Sequence, residues 1–215
     1  MNKIERIILI GAHGTGKSTL ADALSKKLDI PVVESVAREV FKNWKYLKDT
    51  CLITGLTPNG ESNVKQNILC SMSRWDFMRW ANADIPVIMT RCPLDTLAYA
   101  AADKTVSQSI LDTNKKILLE NEEFMNALNS SLFIYLPIEF NIENDGVRPT
   151  DIEFQKEVDE EMRKLIYEFK ITPLVVSGSV DERVDTVMGY LKSGLTEALN
   201  GIFESVIKSL FKDTE

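Results

Sequence analysis

One segment constrains this chain more than any other: residues 11–19, GAHGTGKST, fit the pattern G-x-x-x-x-G-K-[ST] of a phosphate-binding P-loop. The apolar run at residues 7–10 precedes the segment, as expected for a strand buried on both faces. Apolar residues follow it at the spacing of an amphipathic helix, at Leu20, Ala21, Leu24 and Leu28. The sequence therefore predicts a strand, a phosphate-binding loop and a helix, in that order.

The residue types of the loop explain how it would hold phosphate. Glycines allow a tight turn that brings backbone N–H groups onto phosphate oxygens, and the helix N-terminus adds its positive dipole end. We expect Lys17 to reach the β- and γ-phosphates and the Ser18 hydroxyl to bind Mg²⁺. His13 occupies a variable position and is expected only to shape the loop. The residues predicted to bind a nucleoside triphosphate are Gly11, His13, Gly14, Thr15, Gly16, Lys17, Ser18 and Thr19.

Composition narrows the class of protein. With 215 residues, 44% of them hydrophobic and 27% charged, the chain has room for one sizeable core and is typical of a globular protein. A net charge of -7 argues against a large polynucleotide partner. No apolar run approaches the roughly 18 residues of a membrane span, and the charged N-terminus is unlike a signal peptide. We expect a cytoplasmic protein without membrane contact, or one in the host cytoplasm if the chain is phage-encoded.

Strands and helices alternate along the rest of the chain, which favours an α/β fold. Further strands are predicted at residues 31–33, 85–90, 132–136 and 174–176. Helices are predicted at residues 64–83, 107–129, 151–169 and 180–191, and the composition of residues 54–60 predicts a loop. The expected architecture is a three-layer αβα P-loop NTPase fold with a parallel sheet of about five strands.

The domain organisation follows from the same patterns. Residues 1–192 are predicted to form one P-loop domain, with a lid loop at about residues 140–160. Residues 193–215 are predicted to form a helical tail with a single apolar face between Leu195 and Phe211. We expect this amphipathic helix to dock on its own domain, and dimerisation of the chain through it is the alternative.

Two of the predicted helices carry large side chains whose placement the apolar pattern also predicts. The side chains expected to face inward on the helix at residues 64–83 are Ile68, Leu69, Met72, Trp75 and Met78. On the helix predicted around residues 41–48, we expect the lysines to be solvated. The side chains expected to face inward there are Phe41, Trp44 and Leu47.

Glu34 is a candidate because it follows the second predicted strand, where ligands gather in open parallel sheets. Arg38 lies four residues later on the same side of a helix, so a plain surface ion pair is the alternative for both residues. Gln66 and Asp95 are polar members of two other predicted helices. Arg38, Gln66 and Asp95 are the candidate substrate-binding residues.

Four motifs in this order and spacing resemble those of P-loop kinases: the P-loop, ESVAR at residues 34–38, TRCPLDTLAY at residues 90–99 and DGVRP at residues 145–149. The resemblance covers roughly residues 4–191. It is to the AAA_28 or ribosylnicotinamide-kinase-like group, which includes phage nucleotide and DNA-base kinases. Deoxynucleoside and nucleoside monophosphate kinases are more distantly similar.

This resemblance implies an enzyme that uses ATP and Mg²⁺ to phosphorylate a nucleoside- or nucleotide-type acceptor. The implied catalytic residues are Lys17, Glu34, Arg91 and Arg148. Glu34 matches the acidic residue beside the acceptor hydroxyl, and Glu34 and Ser18 are the implied metal ligands. Arg91 and the lid residue Arg148 match arginines that neutralise phosphate charge. The family usually has Asp where this chain has Thr90, so the Walker B carboxylate is missing. Glu34 or Asp95 would then substitute, or catalysis would be weakened.

Two alternatives remain open at this point. One is a kinase of 5-hydroxymethyluracil bases in phage DNA, for which Lys42, Lys45 and Lys48 could supply phosphate contacts against the unfavourable net charge. The other is a catalytically weak nucleotide-binding switch whose C-terminal helix recruits a partner. A regulatory GTPase is disfavoured because the sequence has no N-K-x-D guanine-reading segment.

Overall fold

Five parallel strands form the central sheet of the computed structural model, which describes residues 6–46, 57–139 and 152–193. Their order across the sheet is β2-β3-β1-β4-β5. The strands are β1 (Arg6–Ile10), β2 (Val32–Val33), β3 (Val87–Met89), β4 (Leu132–Tyr135) and β5 (Leu174–Val175). The predicted parallel sheet of about five strands is confirmed, with β3 shorter than the predicted strand at residues 85–90.

The first strand is the centre of the sheet because its neighbours cover it on both edges. Ile8 is in register with Met89 of β3 and with Phe133 of β4. Its side chains alternate between the two faces: Ile8 and Ile10 belong to one buried apolar cluster, and Ile7 and Leu9 to the other. An unbroken apolar strand is therefore required here, since both faces of the sheet are covered.

Helices cover both faces and complete the three layers. The helices are α1 (Lys17–Leu28), α2 (Val36–Lys42), α3 (Pro58–Ala81), α4 (Pro93–Ala102), α5 (Gln108–Leu119), α6 (Glu122–Asn129), α7 (Ile152–Glu168) and α8 at residues 180–193. Leu24 of α1 and Val187 of α8 pack on the Leu9 face. Phe77 of α3, Leu97 of α4 and Val158 of α7 pack on the Ile8 face. The predicted αβα architecture is confirmed.

Helix α3 begins earlier than the sequence predicted. The Thr57 hydroxyl accepts a hydrogen bond from the Gly60 N–H at 3.1 Å, and Pro58 occupies the first turn. An N-terminal cap together with a proline in the first turn is a strong helix start, so Pro58 to Gly60 are helical rather than part of a loop. The rest of that predicted loop, residues 54–56, lies outside the described residues.

The helix predicted over residues 107–129 is two helices. Helix α5 ends at Leu119, and the Asn121 side chain accepts a hydrogen bond from the Phe124 N–H at 2.8 Å to begin α6. The Asn121 side chain gives the backbone N–H of Phe124 a partner outside a continuous helix. The first helix therefore ends before Asn121, and a second one begins after it.

The inward face of α3 also differs from the prediction. Leu69 and Phe77 are buried as part of the core, but Trp75 is 63% exposed and Met72 is 39% exposed. The Trp75 ring is covered instead by the Arg79 guanidinium, 5.4 Å from the ring centre. The cation–π contact stabilises the tryptophan ring at the surface, and single exposed apolar side chains are common on folded proteins.

Phe41 is likewise exposed, by 54% of its surface, and does not point inward as predicted. The Lys65 ammonium lies 4.9 Å from the centre of the Phe41 ring.

Three predictions concern segments outside the described residues. These are the inward side chain of Leu47, the tail helix beyond Ser193 and residues 140–151 of the lid. Residues 152–160 of that lid form the first part of α7. No helix in the described part of the chain combines the length and the apolar character needed to cross a membrane.

Candidate active site

The P-loop connects β1 to α1 and depends on glycine at three positions. Gly11, Gly14 and Gly16 have φ values of 138°, 75° and 88°, in the half of conformational space that residues with a Cβ rarely adopt. The loop curls around the Lys17 side chain, whose Nζ donates to the carbonyls of Gly11 at 2.6 Å and Ala12 at 2.5 Å. The ammonium group is thereby held at the centre of the loop.

A small cavity of about 80 Å³ lies against this loop and the first turn of α1. Its walls are residues 13–19 with Glu34, Ser35, Thr90 and Arg91. The first turn of α1 carries no acidic residue, so nothing opposes the positive end of the helix dipole. Backbone N–H groups, the helix N-terminus and the Lys17 ammonium together make an anion site suited to phosphate.

Oxygen donors for a divalent cation are present in the same cavity. The Ser18 hydroxyl and the exposed Glu34 carboxylate line it, and Glu34 is the single carboxylate among the described residues of its walls. Hard oxygen ligands beside phosphate fit Mg²⁺, which keeps several waters and takes few protein ligands. Thr90 is buried at the end of β3 and donates from its hydroxyl to the Val33 carbonyl at 3.5 Å. The side chain at the end of β3 is thus a neutral hydroxyl.

A second, larger cavity of about 390 Å³ adjoins the first. His13, Ser35 and Arg91 line both cavities. The other walls of the second cavity are Ala37, Phe41, Lys65, Gln66, Leu69, Asp95, Thr96, Tyr99, Asp103 and Phe154. A cavity of this size with apolar and aromatic walls and a few polar groups is typical of a small-molecule site.

Arg91 stands at the junction of the two cavities. Its guanidinium donates to the Tyr99 hydroxyl at 3.3 Å and stacks 4.9 Å from the centre of that ring. Its other nitrogen lies 3.7 Å from an Asp95 carboxylate oxygen, an ion pair longer than a hydrogen bond. Tyr99 and Asp95 therefore hold a cation at the point where the phosphate-binding cavity meets the second cavity.

Asp95 is buried, with 1% of its surface exposed. One carboxylate oxygen accepts from the Cys92 N–H at 2.9 Å and so completes the start of α4. Burial raises the pKa of this carboxyl above its usual value, while the charges of Arg91 and Lys17 act in the opposite direction.

His13 does more than shape the loop. It is 2% exposed, and its Nδ1 lies 3.1 Å from the Tyr99 hydroxyl. Its ring lies 5.9 Å from the Tyr99 ring and 6.1 Å from the Phe154 ring, measured between centres. The P-loop thereby contributes a side chain to the wall of the second cavity.

Two side chains that the sequence analysis missed hold the P-loop from outside. The Gln155 amide of α7 donates to the His13 carbonyl at 2.6 Å, and the Arg183 guanidinium of α8 donates to the Thr15 carbonyl at 2.7 Å. Arg183 also forms an ion pair with Glu139 at 2.6 Å. The sequence held a local signal for Gln155. It is a polar residue three positions before Val158, on the buried face of an amphipathic helix.

The structure brings together most of the predicted site. Lys17, Glu34 and Arg91 line one cavity with residues 13–19 of the P-loop, while Gln66 and Asp95 line the other. Gly11 shapes the loop from behind the phosphate cavity and has its carbonyl on Lys17. Arg38 belongs to α2, and Arg148 lies outside the described residues.

A family match covers both the fold and the site. The model of the family AAA_28, described as an AAA domain, matches residues 6–183. This chain belongs to that family. The match begins at β1 and ends at Arg183, so it spans the sheet, the P-loop and both cavities.

Solved structures show which folds this AAA_28 chain is similar to. Deoxyadenosine kinase from M. mycoides is 16% identical with a TM-score of 0.62, and the alignment covers 87% of this chain and 99% of that one. Thymidylate kinase from Candida albicans is 15% identical with a TM-score of 0.61, covering 89% of this chain and 92% of the other.

The NadR protein, in a structure in complex with NR, is 16% identical with a TM-score of 0.63. That alignment covers 87% of this chain and 51% of NadR, so the chain spans about half of NadR. No curated protein matches the chain by sequence. At these identities the likenesses show the fold, which is that of nucleoside and nucleotide kinases.

Proposed function

We propose that this protein is a kinase that transfers the γ-phosphate of ATP to a nucleoside- or nucleotide-type acceptor. The observation that carries the proposal is the junction of the two cavities at His13, Ser35 and Arg91. A phosphate site that opens directly beside a small-molecule cavity is what transfer between two bound substrates requires. The nucleoside and nucleotide kinases that share the fold support the same reaction class.

The chemistry assigns roles to residues of the phosphate cavity and of the predicted lid. The acceptor hydroxyl oxygen forms a bond to the γ-phosphorus as the bond to the bridging oxygen breaks, and ADP leaves. Lys17 and Arg91 neutralise the charge on the transferring group, with Arg148 of the predicted lid as a third cation. Glu34 takes the proton of the acceptor hydroxyl. Ser18 and Glu34 would hold Mg²⁺, which would supply positive charge beside the phosphates of ATP.

A transfer assay with radiolabelled γ-phosphate tests the proposal. The acceptors are nucleosides, nucleoside monophosphates, nicotinamide riboside and DNA that contains hydroxymethyluracil. Transfer that depends on Lys17, and is lost in Lys17→Ala, would support a kinase and identify its acceptor class. If the natural chain and a Thr90→Asp variant both fail with every acceptor, the proposal is wrong for these compounds.

One observation favours a second candidate, a nucleotide-binding switch with weak turnover. Thr90 places a hydroxyl where a metal-holding carboxylate would serve catalysis. Tight binding of ATP without transfer, together with activity in Thr90→Asp alone, would support this alternative. A kinase of DNA bases is covered by the modified DNA in the same assay, where salt-sensitive transfer lost on replacing Lys42 and Lys45 would support it.

A further inference from the structure

We propose that the acceptor in the second cavity is an uncharged nucleoside rather than a nucleoside monophosphate, and that Gln66 and Asp95 recognise its N–H and O–H groups. This inference rests on the proposed kinase function, since it identifies the substrate of the same site. Two buried oxygen atoms, the charges of the cavity walls and the aromatic side chains around them carry it.

The first observation is a pair of buried oxygens without a donor. Gln66 Oε1 and Asp95 Oδ1 have no hydrogen-bond partner among the described residues, and the two side chains are 6% and 1% exposed. Buried polar atoms of folded proteins nearly always have a partner, because leaving one unmet costs free energy. Both residues line the second cavity. A ligand with hydrogen-bond donors would satisfy both atoms.

The neighbouring protein groups leave Asp95 Oδ1 without a hydrogen bond, although Arg91 forms an ion pair with it. The second Asp95 oxygen accepts from the Cys92 N–H at 2.9 Å. Arg91 lies 3.7 Å from Asp95 Oδ1 and gives its hydrogen bond to the Tyr99 hydroxyl. The Asp95 oxygen therefore remains an acceptor for a group that enters the cavity. An ionised carboxylate can only accept, so that group must be an N–H or O–H.

The charges of the cavity walls argue against a phosphate on the acceptor. The described residues of the wall include two cations, Lys65 and Arg91, and two acids, Asp95 and Asp103. Lys65 stacks on Phe41, and Arg91 lies between the two cavities, where it donates to Tyr99. A monophosphate would bring close to two negative charges beside a buried carboxylate, at a high desolvation and repulsion cost.

The shape of the cavity favours a flat heteroaromatic ring. Phe41, Tyr99 and Phe154 line it, and the Tyr99 and Phe154 rings meet edge to face with centres 6.1 Å apart. Aromatic side chains stack on planar rings through offset or edge contacts. A volume of about 390 Å³ is within the range of small-molecule sites. A nucleoside supplies the ring, the N–H groups and the sugar hydroxyls in one neutral molecule.

Titration calorimetry on the full chain tests the inference, with and without a non-hydrolysable ATP analogue. The ligands are adenosine, deoxyadenosine, cytidine and thymidine, each beside its 5′-monophosphate. We expect at least one nucleoside to bind more tightly than its monophosphate. Gln66→Leu and Asp95→Asn should each weaken nucleoside binding by about 5- to 150-fold, as expected from loss of a hydrogen bond at a buried group. The affinity for the ATP analogue should stay unchanged in Gln66→Leu, because Gln66 lines the second cavity and not the phosphate cavity.

Asp95→Asn is informative because it keeps an oxygen for the Cys92 N–H while it turns the other oxygen into a donor. Matched controls are Gln108→Leu and Asp112→Asn, the same residue types hydrogen-bonded to each other on the exposed face of α5. Both controls should bind nucleoside like the natural chain.

The outcomes separate this inference from the proposed function. Nucleoside binding that depends on Gln66 and Asp95, without phosphate transfer, would uphold the inference and contradict the kinase. Transfer to monophosphates in preference to nucleosides would uphold the kinase and overturn the inference. Nucleoside binding that neither variant alters, or no binding of any nucleoside in the panel, would also overturn it.

Discussion

Arg183 and Thr15 are joined by a hydrogen bond of 2.7 Å, from a buried guanidinium to a P-loop carbonyl, across a separation of 168 positions in the chain. The same guanidinium pairs with Glu139, which follows β4. The last described helix and the segment after β4 are thus tied to the phosphate-binding loop at one residue. The conformation of the P-loop therefore depends on contacts from the far end of the domain.

Arg183→Met should weaken both stability and nucleotide binding. The change removes this donor from the Thr15 carbonyl and the Glu139 carboxylate, at a cost of about 1.5–3 kcal/mol for hydrogen bonds to a charged group. Denaturant unfolding and calorimetry with an ATP analogue measure the two effects. Lys164→Ala, which removes an exposed cation that pairs with Glu160 and Glu161, is the control and should change neither. Normal ATP affinity in Arg183→Met would contradict this coupling.

Gly11→Ala should destabilise the chain, while Gly189→Ala should not. A Cβ at Gly11 would lie 2.5 Å from the Leu136 carbonyl oxygen, and the φ of 138° is strained for any side chain. We expect a loss of more than about 2 kcal/mol from the strained backbone and the clash. Gly189 lies in α8, where an added Cβ would have no other atom within 4 Å, so alanine there should gain about 0.5–1 kcal/mol of helix stability.

Equal stability of these two glycine variants in denaturant unfolding would contradict the close approach of the P-loop to the end of β4. Circular dichroism should show that Gly189→Ala keeps the helical content of the natural chain. A gain there, together with a loss in Gly11→Ala, separates backbone strain from any general effect of adding a methyl group.

Asp95→Asn should become more stable relative to the natural chain as pH rises. Burial raises the folded-state pKa of Asp95 above its ordinary value of 3.8, so the folded state holds the proton more tightly than the unfolded state. Asp95 therefore contributes to the free energy of unfolding below pH 3.8, where it is protonated in both states. This contribution is lost as pH rises through the folded-state pKa. Asparagine cannot ionise and escapes the loss.

Chemical unfolding of both proteins between about pH 3.5 and neutrality, a range that covers the carboxyl titration, measures this difference, with Asp112→Asn as the exposed control. We expect the stability of Asp95→Asn relative to the natural chain to increase with pH, and Asp112→Asn reports the same substitution at an exposed position. A constant difference would mean that Asp95 titrates normally. Gained stability with lost nucleoside binding would mark Asp95 as a residue kept for function.

The sequence was sufficient to predict the sheet, the P-loop and the convergence of Lys17, Glu34 and Arg91. The sheet and the P-loop depend on local signals, which are buried apolar runs and a motif with fixed spacing. Glu34 was expected from its place at the end of a parallel strand, and Arg91 from the resemblance to P-loop kinases. Because β2, β3 and β1 are adjacent, the residues that follow them line a single cavity.

The remaining features had a weak local signal or none. The bond between Arg183 and Thr15 depends on tertiary packing between segments far apart in sequence. The break before α6 depends on the Asn121 cap, which competes with the helix inside an otherwise helical stretch. Trp75 is exposed and lies beside the Arg79 guanidinium, a contact that a count of apolar periods cannot anticipate. The sequence indicated Asp95 as a candidate substrate-binding residue. Only the structure shows that its Oδ1 is buried without a hydrogen bond among the described residues.

Thr90→Asp should lower the Mg²⁺ concentration at which phosphate transfer is half-maximal, if the protein is the proposed kinase. Glu34 is the single carboxylate among the described residues of the phosphate cavity, and Thr90 lies in the same wall at the end of β3. A second carboxylate there would attract the cation more strongly. Thr90→Asn is the control, since it matches the size of aspartate without its charge and should not lower the Mg²⁺ requirement. If aspartate and asparagine have the same effect on the Mg²⁺ dependence, the charge at this position does not contribute to metal binding, and Glu34 must hold the cation without help from the end of β3.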